Sequence, residues 1–203
     1  MHHKPLIATI TLTLSAAAVL GLGAPALAAS GNQLVCFDGA SEMSGNGVCQ
    51  LNSRGATLKN PGPGDYSGVY VQGDNLQGKA LGAVKTLSFH YTRDVAGGAP
   101  RFSLAIDADN DGAYDFFAFA DPNGCGSTAP KSGVVNIITK GAANPNCQIT
   151  TNNGQTYANY TAFEAAYPDG VYATDQVSFI IADQPGSYRV AQVRFNASAA
   201  RAK

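Results

Sequence analysis

A period of two constrains this chain more than any other feature. Residues 86–92 read TLSFHYT, with Leu87, Phe89 and Tyr91 on one side and Ser88, His90 and Thr92 on the other. Residues 101–106 (RFSLAI) repeat the pattern through Phe102, Leu104 and Ile106. Further runs rich in aromatic or β-branched residues fall at 34–37, 66–71, 114–120, 134–139, 177–182 and 188–195. Successive side chains of a strand point to opposite faces, so this alternation predicts strands buried on one side. Turn clusters separate the runs at 60–64 (NPGPG), 97–100 (GGAP), 121–124 (DPNG), 144–146 (NPN) and 184–186 (QPG). Gly supplies positive φ and Pro fixes φ, so each cluster can reverse the chain. Many short strands joined this way predict an all-β fold, an antiparallel, jelly-roll-like β-sandwich. One short helix is expected at 162–167. There Thr161 and Glu164 have capping-box spacing, and Pro168 and Gly170 stop the segment.

At 203 residues the chain has room for one domain, expected at 29–196, with a frayed tail at 197–203. Only 13% of residues are charged, and 13 Lys and Arg stand against 14 acids. That balance excludes a dedicated nucleic-acid binder driven by basic charge. A hydrophobic content of 45% with a net charge near zero excludes a charged disordered tail. Residues 1–28 have the three parts of a secretory signal peptide: a basic start at Lys4, an apolar stretch at 6–22, and Ala26-Leu27-Ala28 as the cleavage signal. No later run is long and apolar enough to anchor the chain in a membrane, so the mature protein is expected outside the cell.

Cys36, Cys49, Cys125 and Cys147 all follow the signal segment. An even count in an exported chain implies two disulfides. Three pairings are possible. The local one, Cys36 with Cys49 and Cys125 with Cys147, is favoured because each intervening segment is rich in Gly or Asn. Zinc is the weaker reading, since no C-x-x-C pair occurs and His90 is the only histidine beyond the signal segment.

The densest local chemistry is Asp107-Ala-Asp109-Asn-Asp111-Gly112-Ala113-Tyr-Asp115, four carboxylates within nine residues. Hard oxygen ligands at alternate positions can wrap a calcium ion, and Gly at the sixth position permits the sharp turn. The expected ligands are Asp107, Asp109, Asp111 and Asp115 with the backbone carbonyl of Ala113. An outside carboxylate (Asp121, Asp94 or Asp65) or water would complete the shell. The spacing is not that of an EF-hand, because Ala118 occupies the twelfth position and strands flank the loop. It resembles the short calcium loops that join strands in integrin-type β-propeller repeats. The expected role is structural, pinning a hairpin. The bland alternative is an ordinary Asp-Gly hairpin turn.

Catalytic patterns are absent from the sequence. It contains no G-x-S-x-G, H-E-x-x-H or phosphate-binding loop. Glycosidases need two carboxylates across a cleft, and Glu42 and Glu164 are the only glutamates. The favoured function is therefore non-catalytic binding of a polysaccharide or cell-wall component. His90, Tyr91 and Tyr70 are the candidate contacts, with Tyr rings standing in for absent Trp. A secreted structural or interaction protein without a small ligand is the alternative, and an extracellular hydrolase is a weaker one.

The stretches LSFHYT and GGAPRFSLAIDADNDGAYDFFAF, a Cys-bearing loop, TAFEAAYPD and a final strand pair follow one another across residues 85–196. This order resembles a group of secreted bacterial β-sandwich proteins that carry a D-x-D-x-D-G-x-x-D loop. The resemblance implies the compartment and the sandwich, and it implies no activity.

Overall fold

The computed structural model describes residues 33–39, 45–73, 76–93, 98–126, 132–196 and 200. The expected signal peptide and Asp94 lie outside them, as does the tail from 197 apart from Ala200. Among the described residues the strands are β1 (Gln33–Asp38), β2 (Val48–Asn52), β3 (Gly55–Asn60), β4 (Ser67–Gln72), β5 (Leu87–Arg93), β6 (Arg101–Asp107) and β7 (Phe116–Ala120). They continue with β8 (Ser132–Thr139), β9 (Ala142–Ala143), β10 (Ile149–Thr151) and β11 (Thr156–Tyr157). Helix α1 (Tyr160–Ala166), β12 (Val171–Tyr172), β13 (Phe179–Ala182) and β14 (Gly186–Phe195) follow.

These strands make two antiparallel sheets. The larger has the order β1-β4-β13-β6-β7-β10-β11, with β12 also on β6; the smaller has β2-β3-β14-β5-β8-β9. The last two long strands thus enter the middle of both sheets, β13 between β4 and β6, and β14 between β3 and β5. Inner faces meet through rings. Phe102 of β6 lies edge-on to Phe89 of β5 at 4.9 Å and to Phe195 of β14 at 5.4 Å. The fold is the expected all-β sandwich.

The alternation holds in β5, β7, β13 and β14, whereas β6 is buried on both faces from Phe102 onward, its Ser103 and Ala105 lying beside Phe119 and Phe117. In β14 it also survives an irregularity. In β14 the register shifts between Ala191 and Arg194, with Gln192 at φ 49°. This bulge adds one residue, so Val190 and Val193 both face the core and Arg189 and Arg194 both face outward. The hairpin of β2 and β3 was not foreseen. Its strands are short, and Asn52 turns the chain by accepting the Arg54 amide at 3.0 Å.

One side of the sandwich is tied across its sheets. β1 and β2 are edge strands of different sheets, joined by Cys36–Cys49. The Asp38 carboxylate also accepts the Cys49 amide at 2.8 Å. Cys125–Cys147 links the segment after β7 to that before β10. Both bridges follow the local pairing. Among the described residues no helix is long and apolar enough to cross a membrane.

The helix departs from expectation by one cap. It begins at Tyr160, and Asn159, not Thr161, accepts the Ala162 amide at 3.0 Å. Asn caps as well as or better than Thr, and the earlier start buries Tyr160. Glu164, released from the capping box, rests against Gly82, where a Cβ would come within 2.4 Å of its carboxylate.

Phenols crowd around this helix. Tyr160 bonds Tyr172 at 2.8 Å and donates to the Leu81 carbonyl at 3.1 Å. Tyr157 and Tyr167 share a 2.8 Å bond. Burial pushes the Tyr160 phenol well above its ordinary value. Burial first, then Tyr157 and the charge of Asp115, push Tyr167 up to about 12. A raised folded-state pKa means the folded chain keeps protons that the unfolded chain has lost, so stability falls as pH rises. For Tyr167 the loss runs from the ordinary value of 10.0 to about 12. Urea midpoints are therefore expected to hold level below about pH 9.5 and to drop by about pH 11. A midpoint that stays constant to about pH 12 would contradict this.

Candidate functional site

The acidic loop joins β6 to β7, and its backbone is shaped by its own carboxylates. Asp107 ends β6 at 2% exposure, with one oxygen accepting the Asp111 amide at 3.1 Å and the other the Gly112 amide at 2.9 Å. Gly112 takes φ 94°, a left-handed turn that favours glycine. Asp115 accepts the Ala108 amide at 2.7 Å and donates its own amide to the Ile106 carbonyl at 2.9 Å, closing the hairpin.

Side-chain oxygens of Asp107, Asp109 and Asp115 lie within 4.8 Å of one another. One cation can span that distance, and the donors are the hard oxygens that calcium takes. Asp111 stands outside this group, with one oxygen accepting the Ala113 amide at 2.9 Å. Two of the expected completing carboxylates are engaged elsewhere. Asp65 accepts the amides of Asn46 and Gly62, and Asp121 accepts that of Gly124. The carboxylate that does reach the loop is Asp175, which accepts the Tyr114 amide at 3.3 Å. It arrives from 61 residues away, so no local spacing could reveal it.

Tyr114 connects this loop to a second feature. On the outer face of the larger sheet, Phe37, Tyr70, Phe117, Phe119 and Phe179 are all half-buried. The rings of Phe37, Phe179, Phe117 and Phe119 form a contiguous set, and Tyr70 stands opposite Phe179 in the strand pairing. Phe179 touches Phe37 and Phe117, each at 5.2 Å between centroids, and Tyr114 lies 4.9 Å from Phe117. Phe117 and Phe119 stand nearly parallel at 6.5 Å. Small residues underlie the set: Ala105 pairs with Phe117 and Ser103 with Phe119. A Cβ on Gly68 would come within 2.3 Å of the Phe37 ring, so only glycine lets that ring lie over β4. The set crosses five strands, from β1 to β7, and spans roughly 19 Å at ordinary strand spacing.

Charge on this face is self-compensated. Arg101 grips Asp183 with two bonds of 2.7 and 2.6 Å, and its guanidinium lies 4.8 Å from the Phe119 ring centre. The face therefore presents aromatic carbon and hydroxyls with one neutralised ion pair.

The three expected contact residues do not converge. Tyr70 belongs to the aromatic face. His90 is exposed on the outer face of the other sheet, opposite Ala191 and Val134. Tyr91 is 1% exposed on the core side of β5, so its ring offers no face to a sugar. It joins the hydrophobic series Leu87–Phe89–Tyr91, and that alternation already placed it opposite His90. The missed residues, Phe37, Phe117, Phe119 and Phe179, lie in runs that are apolar on both faces. In FFAFA, Phe116 and Ala118 fill the core, which leaves Phe117 and Phe119 outside. Two aromatics at that spacing were the available signal, but the run alone does not say which of its faces is the core.

No family model matches the chain, and no curated protein or solved structure matches it either.

Proposed function

We propose that the protein is an exported, non-catalytic binding module that holds a polysaccharide on the aromatic face of its larger sheet, with a structural calcium in the loop at 107–115. The carrying observation is the contiguous set of half-buried rings from Phe37 to Tyr114. Large grouped apolar surface marks interaction sites, whereas scattered apolar residues do not. Sugar rings present C–H faces that pack on aromatic carbon, and their hydroxyls suit the phenols of Tyr66, whose ring lies 6.5 Å from that of Phe37, and of Tyr114 beside Phe117. A neutral polysaccharide needs no charge complement, and the paired Arg101 and Asp183 offer none. Export is supported by the signal pattern at 1–28 and by two disulfides, which persist in oxidising compartments.

Calcium fits the oxygen donors of Asp107, Asp109 and Asp115, and it would offset their mutual repulsion. Because Tyr114 belongs to both features, a cation that fixes the loop would also fix one end of the aromatic face.

Sedimentation with insoluble cellulose, chitin and peptidoglycan tests the binding reading. The protein is expected to be retained on at least one of them. Phe117→Ala with Phe179→Ala should lower that retention about tenfold while the thermal transition stays cooperative, since buried contact aromatics dominate binding. No retention on any of the three overturns the reading. So does retention unchanged in the double variant.

A further inference from the structure

The outer face of the smaller sheet carries a charge pattern that neither the aromatic site nor the acidic loop explains. None of its six strands contains Asp or Glu. Lys59, Arg189 and Arg194 face outward from it, with His90 among them. Strand pairing sets their spacing. Ser187 pairs with Lys59, Arg189 with Thr92, Ala191 with His90, and Arg194 with Ser88. Arg189 is thus the diagonal neighbour of both Lys59 and His90, and Arg194 is the diagonal neighbour of His90. Diagonal partners on a sheet lie roughly 7–8 Å apart, within reach of long side chains. The bulge in β14 completes the row, because without it Arg194 would turn to the core.

These cations have no acidic partners among the described residues, where the only ion pair is Arg101 with Asp183 on the other sheet. Clustered like charges without counter-ions repel. Arg189 Nε is also buried with no hydrogen-bond partner among the described residues. At the Lys59 end the row opens into a groove of about 370 Å³ lined by Val48, Lys59, Pro61, Gly186 and Ser187. Ser187 Oγ there is buried and unpartnered as well. A cation row without acidic partners among the described residues therefore ends in a groove.

We infer that this face binds an acidic polysaccharide, its carboxylates meeting Lys59, Arg189 and Arg194 and one sugar unit entering the groove at Ser187. The interleaved Thr57, Thr92, Gln50 and Ser132 supply hydroxyl and amide partners for sugar hydroxyls. A nucleic-acid strand would want aromatic platforms for its bases, and among the described residues of this sheet Phe89, Tyr91, Tyr188 and Phe195 all face the core. A membrane would want a broad apolar face, and the large apolar side chains exposed here are Val48 and Val134. The site is independent of the aromatic face on the opposite sheet.

Affinity electrophoresis of the purified protein through gels containing polygalacturonate or neutral dextran tests this. Retardation is expected in polygalacturonate only, weakening steeply as salt rises because exposed charges are screened. Lys59→Glu with Arg194→Glu alters two exposed side chains and should weaken binding about tenfold or more. Arg189→Ala should weaken it as well, with the thermal transition read alongside. Phe117→Ala should leave it unchanged. No retardation in polygalacturonate at low salt overturns the inference. So does equal retardation of the folded double variant, or tighter binding to single-stranded DNA or to phosphatidylglycerol vesicles than to polygalacturonate.

Discussion

Phe102→Ala is expected to lower unfolding stability by about 3–5 kcal/mol, the range for removing a large buried ring. Phe102 is fully buried, and its two ring neighbours belong to the opposite sheet. Truncation therefore opens a void between the layers, where the antiparallel pairings of both sheets hold the walls apart. Flanking Leu104 and Ile106 are fixed by the same strand and cannot slide into the space. For a chain of this size the melting temperature should fall by roughly 10 °C. Phe119→Ala provides the contrast. It lies on the other face of the same sheet and is half-buried, so its loss exposes no core and should cost about a third as much or less. Calorimetry of the two variants beside the parent checks both figures. A Phe102→Ala loss below about 1.5 kcal/mol would mean the layers close over the gap, and the sandwich is then less rigid than its pairings imply.

The difference between these two phenylalanines also marks where sequence reading succeeds. Alternation identifies the inner set Phe102, Leu104 and Ile106 outright, because one face of that run is wholly apolar and the other carries Arg101 and Ser103. It cannot rank the two faces of β7 or β13, where Phe117 and Phe119 oppose Phe116, and Phe179 and Ile181 oppose Ile180. Only strand pairing decides that, by bringing those outward residues together over Gly68, Ser103 and Ala105. The acidic loop is legible because its ligands are consecutive in the chain. Asp175 is not, since its approach depends on how β12 and β13 pack beside β6. Charge behaves the same way. Composition sums 13 bases and 14 acids to near zero, which conceals a smaller sheet with no acid and an acidic loop that closes a hairpin of the larger one. The helix start illustrates a narrower failure. Thr161 and Glu164 have the spacing of a capping box, yet Asn159 wins because starting two residues earlier buries Tyr160 against Leu81 and Tyr172.

Asp107→Ala should be the most damaging substitution in the acidic loop, and its effect has two separable parts. Without any cation, the change removes the acceptor for the Asp111 and Gly112 amides at a position only 2% exposed. A donor left unsatisfied in the interior costs about 1–3 kcal/mol. Here Asp111 and Gly112 are exposed to water and Asp109 still receives the Asp111 amide, which brings the expected total to about 1–2 kcal/mol. The second part appears only with calcium. A ligand present at a hundredfold over its dissociation constant stabilises the folded state by about 2.7 kcal/mol, so calcium should raise the parent's melting temperature by several degrees over chelator. Asp109→Asn separates the parts. Asp109 is exposed and accepts only the Asp111 amide, at 3.3 Å, which Asp107 also receives. Its loss should leave stability in chelator within about 0.5 kcal/mol of the parent while abolishing the response to calcium. Scanning calorimetry of parent, Asp107→Ala and Asp109→Asn, each in calcium and in chelator, therefore gives independent answers. Equal melting temperatures for the parent in both conditions sink the calcium reading and leave the role of Asp107 as a backbone acceptor intact. An Asp107→Ala variant as stable as the parent in chelator shows instead that the hairpin closes without that carboxylate. The pairing of Asp115 with Ile106 and Ala108 would then be what holds the turn.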